Sequence, residues 1–202
     1  MDNRSIAQSI AQLARMSAGD GQVGGFTAAQ WSTLRFFARA NRFSRTVSAF
    51  AEFHATTRGT ASQTVKGLVS EGYLTRSRSD LDGRSVRFDL TEKGRGALSH
   101  DPLDALSEAI GKLAPGVRNQ LASSLKRLKE EVADSRGKPS FGSCRFCCHL
   151  TCALRKPGGE PSYACDLLDQ PLAANDLGDL CVNFETAQSN TAARSRRDSK
   201  TS

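Results

Sequence analysis

The 202 residues predict a mainly α-helical chain with one small β-hairpin wing, followed by a much smaller module of a different kind. Three observations carry this. Helical spacing of apolar residues recurs through the first 134 positions and is interrupted once, by two short β-type runs. All six cysteines fall between Cys144 and Cys181. The charge is divided as well: residues 1–139 hold 21 Lys+Arg against 14 Asp+Glu, residues 140–185 hold 3 against 6, and residues 186–202 hold 4 against 1. The positive balance of the first part and the tail points to a polyanionic partner there.

The elements follow in order. Ile6, Ile10, Leu13 and Ala14 predict an opening helix that stops at the glycine-rich Ser17–Gly21. Thr27 with Gln30 reads as a capping box, and Trp31, Leu34, Phe37 and Ala38 form the stripe of a second helix ending near Ala40-Asn41. A third, short helix fits Ser48 to His54, with Phe50 and Phe53 inward. The fourth starts after Thr57, a good cap. It turns Ala61, Val65, Leu68 and Val69 inward, presents Gly59, Ser62, Gln63, Lys66 and Ser70 on the opposite face, and ends at Glu71-Gly72. Tyr73–Arg76 and Ser85–Leu90 read as a hairpin joined by the polar turn Ser79–Gly83. Two closing helices carry the seams Leu103/Leu106/Ile110/Leu113 and Leu121/Leu125/Leu128/Val132, with a break at Ala114-Pro115-Gly116. Ser135–Pro139 is the linker. The expected organisation is therefore a domain over 1–135, a cysteine-rich module over 140–185 and a basic tail over 186–202, expected to be disordered because it lacks apolar periodicity.

Composition excludes several classes. No run of about 18 apolar residues exists to span a membrane, and the N-terminal stretch lacks the apolar core of a secretory signal. The expectation is a soluble, cytoplasmic protein. With three histidines and no GxSxG, P-loop, HExxH or GxGxxG pattern, no catalytic constellation is visible, so an enzyme is not expected.

Three short helices followed by a two-stranded ribbon describe a winged helix-turn-helix. A recognition helix must bury one face and present small polar groups and a few cations to the major groove. In the fourth helix Gly59 and Ser62 permit close approach, Gln63 and Lys66 can reach base edges or phosphate, and Arg58 sits in the first turn. The ribbon adds Arg76, Arg78, Arg84 and Arg87, and narrow minor grooves attract arginine. Asp80 and Asp82 read as partners holding the tip, Asp82 most simply with Arg84. The competing readings are a solvated amphipathic helix and a basic hairpin with no partner.

On these residues the stretch TTRGTASQTVKGLVSEGYLTRSRSDLDGRSVRFDLTEKGRGAL resembles the MarR family of bacterial regulators. The carrying features are the Thr-capped fourth helix, Glu71-Gly72-Tyr73-Leu74, the Asp-x-Asp-x-Arg wing (Asp80, Asp82, Arg84) and Leu90-Thr91-Glu92-Lys93-Gly94. The resemblance covers about residues 5–134, and Gly83 departs from the Arg usual beside the wing Arg. It implies a homodimer on a pseudo-palindromic double-stranded operator, with the terminal helices as dimer interface. The apolar seams of those helices, unpartnered inside one winged helix, are consistent with that.

The cysteine spacing is Cys144-x2-Cys147-Cys148-x3-Cys152-x12-Cys165-x15-Cys181. One Cys-x2-Cys knuckle and two isolated cysteines supply four separated thiolates, Cys144, Cys147, Cys165 and Cys181, for tetrahedral zinc or an iron–sulfur cluster. The balance is nearly even, with a lean to iron–sulfur. Cys148 or Cys152 could substitute for one of them. Buried structural thiols, or a thiol–disulfide switch with Cys147 or Cys148 near Arg145, are the other readings. His149 could be a ligand, but its place beside Cys148 points rather to a solvated side chain. A module this short with few large apolar residues needs an external clamp.

Together these features predict a dimeric DNA-binding regulator sensing redox state or metal through the cysteine cluster, with coupling expected to run through the closing helix that leads into residues 140–185. The alternatives are an iron–sulfur or zinc protein whose helical part is a dimer scaffold, and a regulator with a structural zinc and a small-molecule effector.

Overall fold

The computed structural model describes residues 2–18, 25–78, 86–154 and 161–186. The expected wing tip, with Asp80, Asp82, Gly83 and Arg84, lies outside the described residues, as do residues 187–202 of the tail and positions 19–24. Helices α1 (Asn3–Ser17), α2 (Ala28–Arg39), α3 (Val47–Phe53) and α4 (Arg58–Ser70) precede the strands β1 (Leu74–Arg78) and β2 (Val86–Leu90). Helices α5 (Glu92–Leu98), α6 (Leu103–Gly111) and α7 (Pro115–Ser135) follow. The cysteine segment adds β3 (Gly142–Ser143), β4 (Leu150–Leu154), β5 (Pro161–Cys165), β6 (Gln170–Leu172) and β7 (Leu180–Cys181). This is the mainly helical chain with a hairpin wing that the sequence predicts. Among the described residues no helix is long and apolar enough to cross a membrane.

Threonine opens four successive helices. Thr27 Oγ1 accepts from Gln30 N at 3.2 Å while Gln30 Oε1 accepts from Thr27 N at 2.9 Å, completing the capping box of α2. Thr46 caps α3 by accepting from Ala49 N at 3.1 Å, and Thr57 caps α4 by accepting from Thr60 N at 3.2 Å. Thr91 does the same for α5, accepting from Gly94 N at 3.0 Å. Helix α5 is absent from the sequence-based prediction, because its seven residues are too few to display an apolar period. Its position is fixed by close packing instead. A Cβ on Gly94 would stand 2.2 Å from the Tyr73 carbonyl oxygen. Lys93 Nζ donates to Glu71 O at 2.8 Å and lies over the Tyr73 ring.

The chain divides into two compact units, residues 1–38 with 57–128, and residues 39–56 with 129–202. The first buries Trp31, Leu34, Phe36 and Phe37 of α2, Ala61, Val65 and Leu68 of α4, and Leu74, Phe88 and Leu90 of the hairpin. Phe26 stacks on both Trp31 and Tyr73, and Phe37 meets Phe88. Arg35 Nε donates to Asp101 Oδ2 at 2.7 Å, tying α2 to the turn before α6.

The second unit joins the turn after α2 and helix α3 to the cysteine segment. The sequence places residues 39–56 with the first domain; here they pack with residues beyond 128. In α3, Phe50 is buried, but Phe53 is not the inward residue that the spacing suggests: it is 37% exposed, with its ring against the edge of Phe141. Strands β4, β5 and β6 form an antiparallel sheet, β3 pairs with β7, and Ala40 bridges in parallel to Leu180. The core of this unit is Cys144, Leu172, Leu177, Cys181 and Phe184, with Phe43, Cys147, Leu150, Tyr163 and Cys165 around it.

Because Gly94 sits against backbone while Gly96, in the same helix, has open space around it, the two substitutions should diverge. Gly94→Ala should lower the free energy of unfolding by roughly 1–3 kcal/mol through overpacking. Gly96→Ala should raise it, by up to about 1 kcal/mol from helix propensity. Urea unfolding midpoints of the two variants check this.

Candidate functional site

Two arrangements stand out, one in each unit. The first is the outer face of α4 with the hairpin. Ala61, Val65 and Leu68 are buried, and Arg58, Gly59, Gln63 and Lys66 are exposed on the other side, with Ser62 at the margin. The Thr57 cap leaves the helix N-terminus well formed, with Arg58 exposed in its first turn, and the dipole at such a terminus favours an anion. This is a small-residue, cationic helix face with a regular backbone behind it.

The hairpin separates its arginines. Its register pairs Leu74 with Leu90, Arg76 with Phe88 and Arg78 with Val86 on one face, and Thr75 with Asp89 and Ser77 with Arg87 on the other. Arg76 and Arg78 are exposed. Arg87 lies across the ribbon from them, and its Nε donates to Asp89 Oδ2 at 3.2 Å, both side chains about three-quarters buried. Residues two apart on a strand share a face, which is what lets Asp89 hold Arg87. Arg84 lies outside the described residues.

The second arrangement is a thiol pocket. Cys144 begins a 3-10 turn, and Cys147 N donates back to Cys144 O at 3.0 Å, closing the Cys-x2-Cys knuckle. Cys165 ends β5, opposite Leu150 and Gln170. Cys181 lies in β7, opposite Gly142. Three elements, the knuckle turn, β5 and β7, thereby bring Cys144, Cys147, Cys165 and Cys181 to the wall of one small cavity, completed by Phe43, His149, Leu150, Leu172 and Asn183. These are the four thiols that their spacing singles out. Cys152, exposed in the middle of β4 opposite Tyr163, is not among them.

Residues missed by the sequence reading build one side of this pocket. Asn41 and Ser44 are fully buried polar side chains. Asn41 Oδ1 accepts from Ser44 N at 3.0 Å and from Phe43 N at 3.2 Å, an Asx-type turn. Its Nδ2 then donates to Cys144 Sγ at 3.5 Å. Asn41 N donates to Leu180 O at 2.8 Å, Ser44 Oγ accepts from Val182 N at 2.8 Å, and Arg42 donates to the Pro171 carbonyl. The one local signal was Asn-x-x-Ser at a helix end, which marks a turn but names no distant partner.

The pocket's protons are unevenly shared. The hydrogen bond from Cys144 holds the Cys181 thiol down to about 6, helped by the Asn41 amide, the Asn183 N–H and the Ser44 hydroxyl against the opposing effect of burial. The same bond, with burial, pushes Cys144 well above the usual thiol range. A buried thiolate stabilised by several donors is a ready ligand for a soft cation.

Beside the pocket, ligand atoms of Cys148, His149 and Glu185 lie within 4.8 Å of one another, and among the described residues no other His, Cys, Asp or Glu trio is that tight. His149 is not solvated as the sequence suggests: its side chain is 17% exposed, with Nε2 at 3.4 Å from Glu185 Oε2. Cys148 N donates to Glu185 O at 2.9 Å, which turns the residue toward that side. Among the described residues no three of the four pocket sulfurs lie within 4.8 Å of one another.

A sequence profile of the MarR family matches residues 24–85. The fold is similar to that of a MarR transcriptional regulator from Methanosarcina mazei Go1, with a TM-score of 0.53, 25% identity, and coverage of 65% of this chain and 99% of that one. It is also similar to a MarR/EmrR family transcriptional regulator from Acinetobacter sp. ADP1, with a TM-score of 0.53, 21% identity and coverage of 65% and 97%. CouR from Rhodococcus jostii RHA1, solved with p-coumaroyl-CoA bound, gives a TM-score of 0.53, 17% identity and coverage of 63% and 92%. No curated protein matches the sequence.

The hairpin geometry ranks its cations. Lys66→Ala and Arg76→Ala should each reduce the slope of log K against log salt for duplex DNA by about one if they meet phosphate. Arg87→Ala, removing a side chain already held by Asp89, should leave the slope nearly unchanged. Fluorescence anisotropy across a salt series separates them, and an equal loss for Arg87→Ala would refute the ranking.

Proposed function

We propose that this chain, whose residues 24–85 are a MarR-family domain, is a dimeric DNA-binding transcriptional regulator whose grip on its operator follows the state of the thiol pocket. The observation that carries the first half is α4: a capped, half-buried helix with Arg58, Gly59, Ser62, Gln63 and Lys66 outward, followed by a ribbon with Arg76 and Arg78 exposed. The major groove accepts such a face, and the hairpin extends the contact along the backbone toward the minor groove. Arg84 belongs to this set through the wing pattern of the sequence.

The homodimer is supported by the terminal helices. No residue of α1, α6 or α7 is buried, and Ile6, Ile10, Leu13, Leu125, Leu128 and Val132 are each more than a third exposed. Apolar faces of that length are covered in a stable soluble protein, most simply by a second copy across a two-fold axis. Two copies of α4 would then address the two halves of a pseudo-palindromic duplex.

The second half of the reading rests on the convergence of Cys144, Cys147, Cys165 and Cys181 on one cavity. Four cysteine thiolates suit an iron–sulfur cluster or zinc, and one knuckle followed by isolated cysteines favours a cluster. Such a group, when bound, makes the pocket sensitive to redox state and iron supply. Cys148 and Cys152 are left out of the ligand set. Cys148 adjoins Cys147 and is turned toward Glu185, and Cys152 lies on the exposed sheet.

The test compares two variants of the full chain purified without oxygen. Cys165→Ser should lose the bound metal, and its DNA affinity should match that of chelator-stripped wild type. Cys152→Ser should keep both metal content and DNA affinity. If Cys165→Ser retains wild-type metal, or if stripping wild type leaves DNA affinity unchanged, the sensing assignment fails.

A further inference from the structure

The turn Asn41–Ser44 belongs by sequence to the helix-turn-helix region, between α2 and α3, yet its polar groups are spent on the cysteine segment. Asn41 and Ser44 are fully buried. Asn41 reaches Cys144 Sγ at 3.5 Å and Leu180 O at 2.8 Å, and Ser44 takes Val182 N at 2.8 Å. Leu180 and Val182 flank Cys181, so the turn grips both sides of one pocket thiol and donates directly to another. Phe43, between them, lines the same cavity. Lys138 Nζ adds a contact to Glu52 Oε2 of α3 at 3.0 Å.

Covalent connection carries this grip further. Residues 39–56 compose, with the cysteine segment, one compact unit. Helix α2 enters that unit at Arg39, and only His54–Thr57 separate α3 from α4. That connection is tight: Ala55 holds a positive φ of 50°, and Thr56 N donates to Ala51 O at 3.0 Å. A rearrangement of the pocket wall therefore has a short route to the Thr57 cap and the start of the recognition helix, separate from the route through α7.

We propose that Asn41 and Ser44 are positioning residues of the thiol site that transmit its filling to the DNA-binding helix through the 40–46 turn. Amide and hydroxyl donors beside ligating sulfurs orient them and tune the bound group, as outer-shell partners do in metal sites generally. When the sulfurs draw in around a bound group, Cys144 and Cys181 set the place of the turn. When the pocket empties, the sulfurs relax from that position, and the turn, still tied to Leu180 and Val182, shifts with them and carries α3 and the entrance to α4. This rests on the reading that pocket filling alters DNA affinity, and the experiment separates the two.

Asn41→Asp retains an oxygen for Ser44 N and Phe43 N, so the turn keeps its acceptor, but it removes the N–H that meets Cys144. Ser44→Ala removes the tie to Val182 and serves if Asn41→Asp fails to fold. The probe is a labelled duplex selected from random-sequence DNA by the wild-type protein. Affinity is measured for each full-length protein as purified anaerobically and after stripping with chelator, with metal content followed in parallel. The wild-type ratio should be roughly tenfold or more, within the usual range of coupling between sites. In either variant the ratio should collapse toward one while the filled protein keeps its metal, even where the melting temperature falls from the lost buried hydrogen bond. A merely structural role would weaken both states alike and leave the ratio intact; that result, with a normal wild-type ratio, overturns the proposal and spares the sensing reading. A wild-type ratio near one removes both.

Discussion

A segment of some 46 residues with few large apolar side chains cannot close a core alone, and the second unit is organised by that shortage. Its buried set, Cys144, Leu172, Leu177, Cys181 and Phe184, includes two thiols. Two devices make up the deficit. The segment recruits the 40–46 turn, whose Asn41 and Ser44 satisfy backbone groups at Leu180 and Val182 that would otherwise be buried unpaired. It also gathers four cysteines around one cavity, where a bound group would cross-link the knuckle turn, β5 and β7. The site and the stability of the unit are thus the same set of contacts.

The first unit is built in the opposite way. Aromatic rings supply its core, with Phe26 between Trp31 and Tyr73 and Phe37 against Phe88, and the hairpin is held at its base by Thr91, Lys93 and Gly94 packed on the Glu71–Tyr73 exit of α4. That base explains why the Leu-Thr-Glu-Lys-Gly stretch accompanies the wing. Threonine caps the next helix while its hydroxyl donates to Gly72 O at 2.7 Å, and glycine is required where a Cβ would strike backbone. With the base held in this way, Arg76 and Arg78 stand exposed on the ribbon.

What the sequence disclosed was local. Threonine caps, apolar stripes and the paired β runs each declare themselves within a few residues, so α1 to α4, the hairpin and the two closing helices were legible. So was the meeting of Cys144, Cys147, Cys165 and Cys181 at one cavity, since the knuckle and the isolated cysteines stand apart from Cys148 and Cys152. Helix α5 was not, because seven residues show no period. The pairing of Arg87 with Asp89, two residues on and on the same face, was signalled by the strand period but not read. Asn41 and Ser44 were invisible for a different reason: their partners lie 103 and 138 residues away, and no spacing rule within one sequence reaches that far.

The central claim is that the cysteine segment holds a metal-bearing group in the pocket formed by Cys144, Cys147, Cys165 and Cys181. Its most direct test is the iron, zinc and acid-labile sulfide content of full-length protein purified without oxygen, with the absorption spectrum of the same sample. The account predicts iron with matching sulfide and a visible band that disappears on chelation. A colourless protein with zinc alone would contradict the cluster, and one with neither metal would contradict the pocket's role altogether.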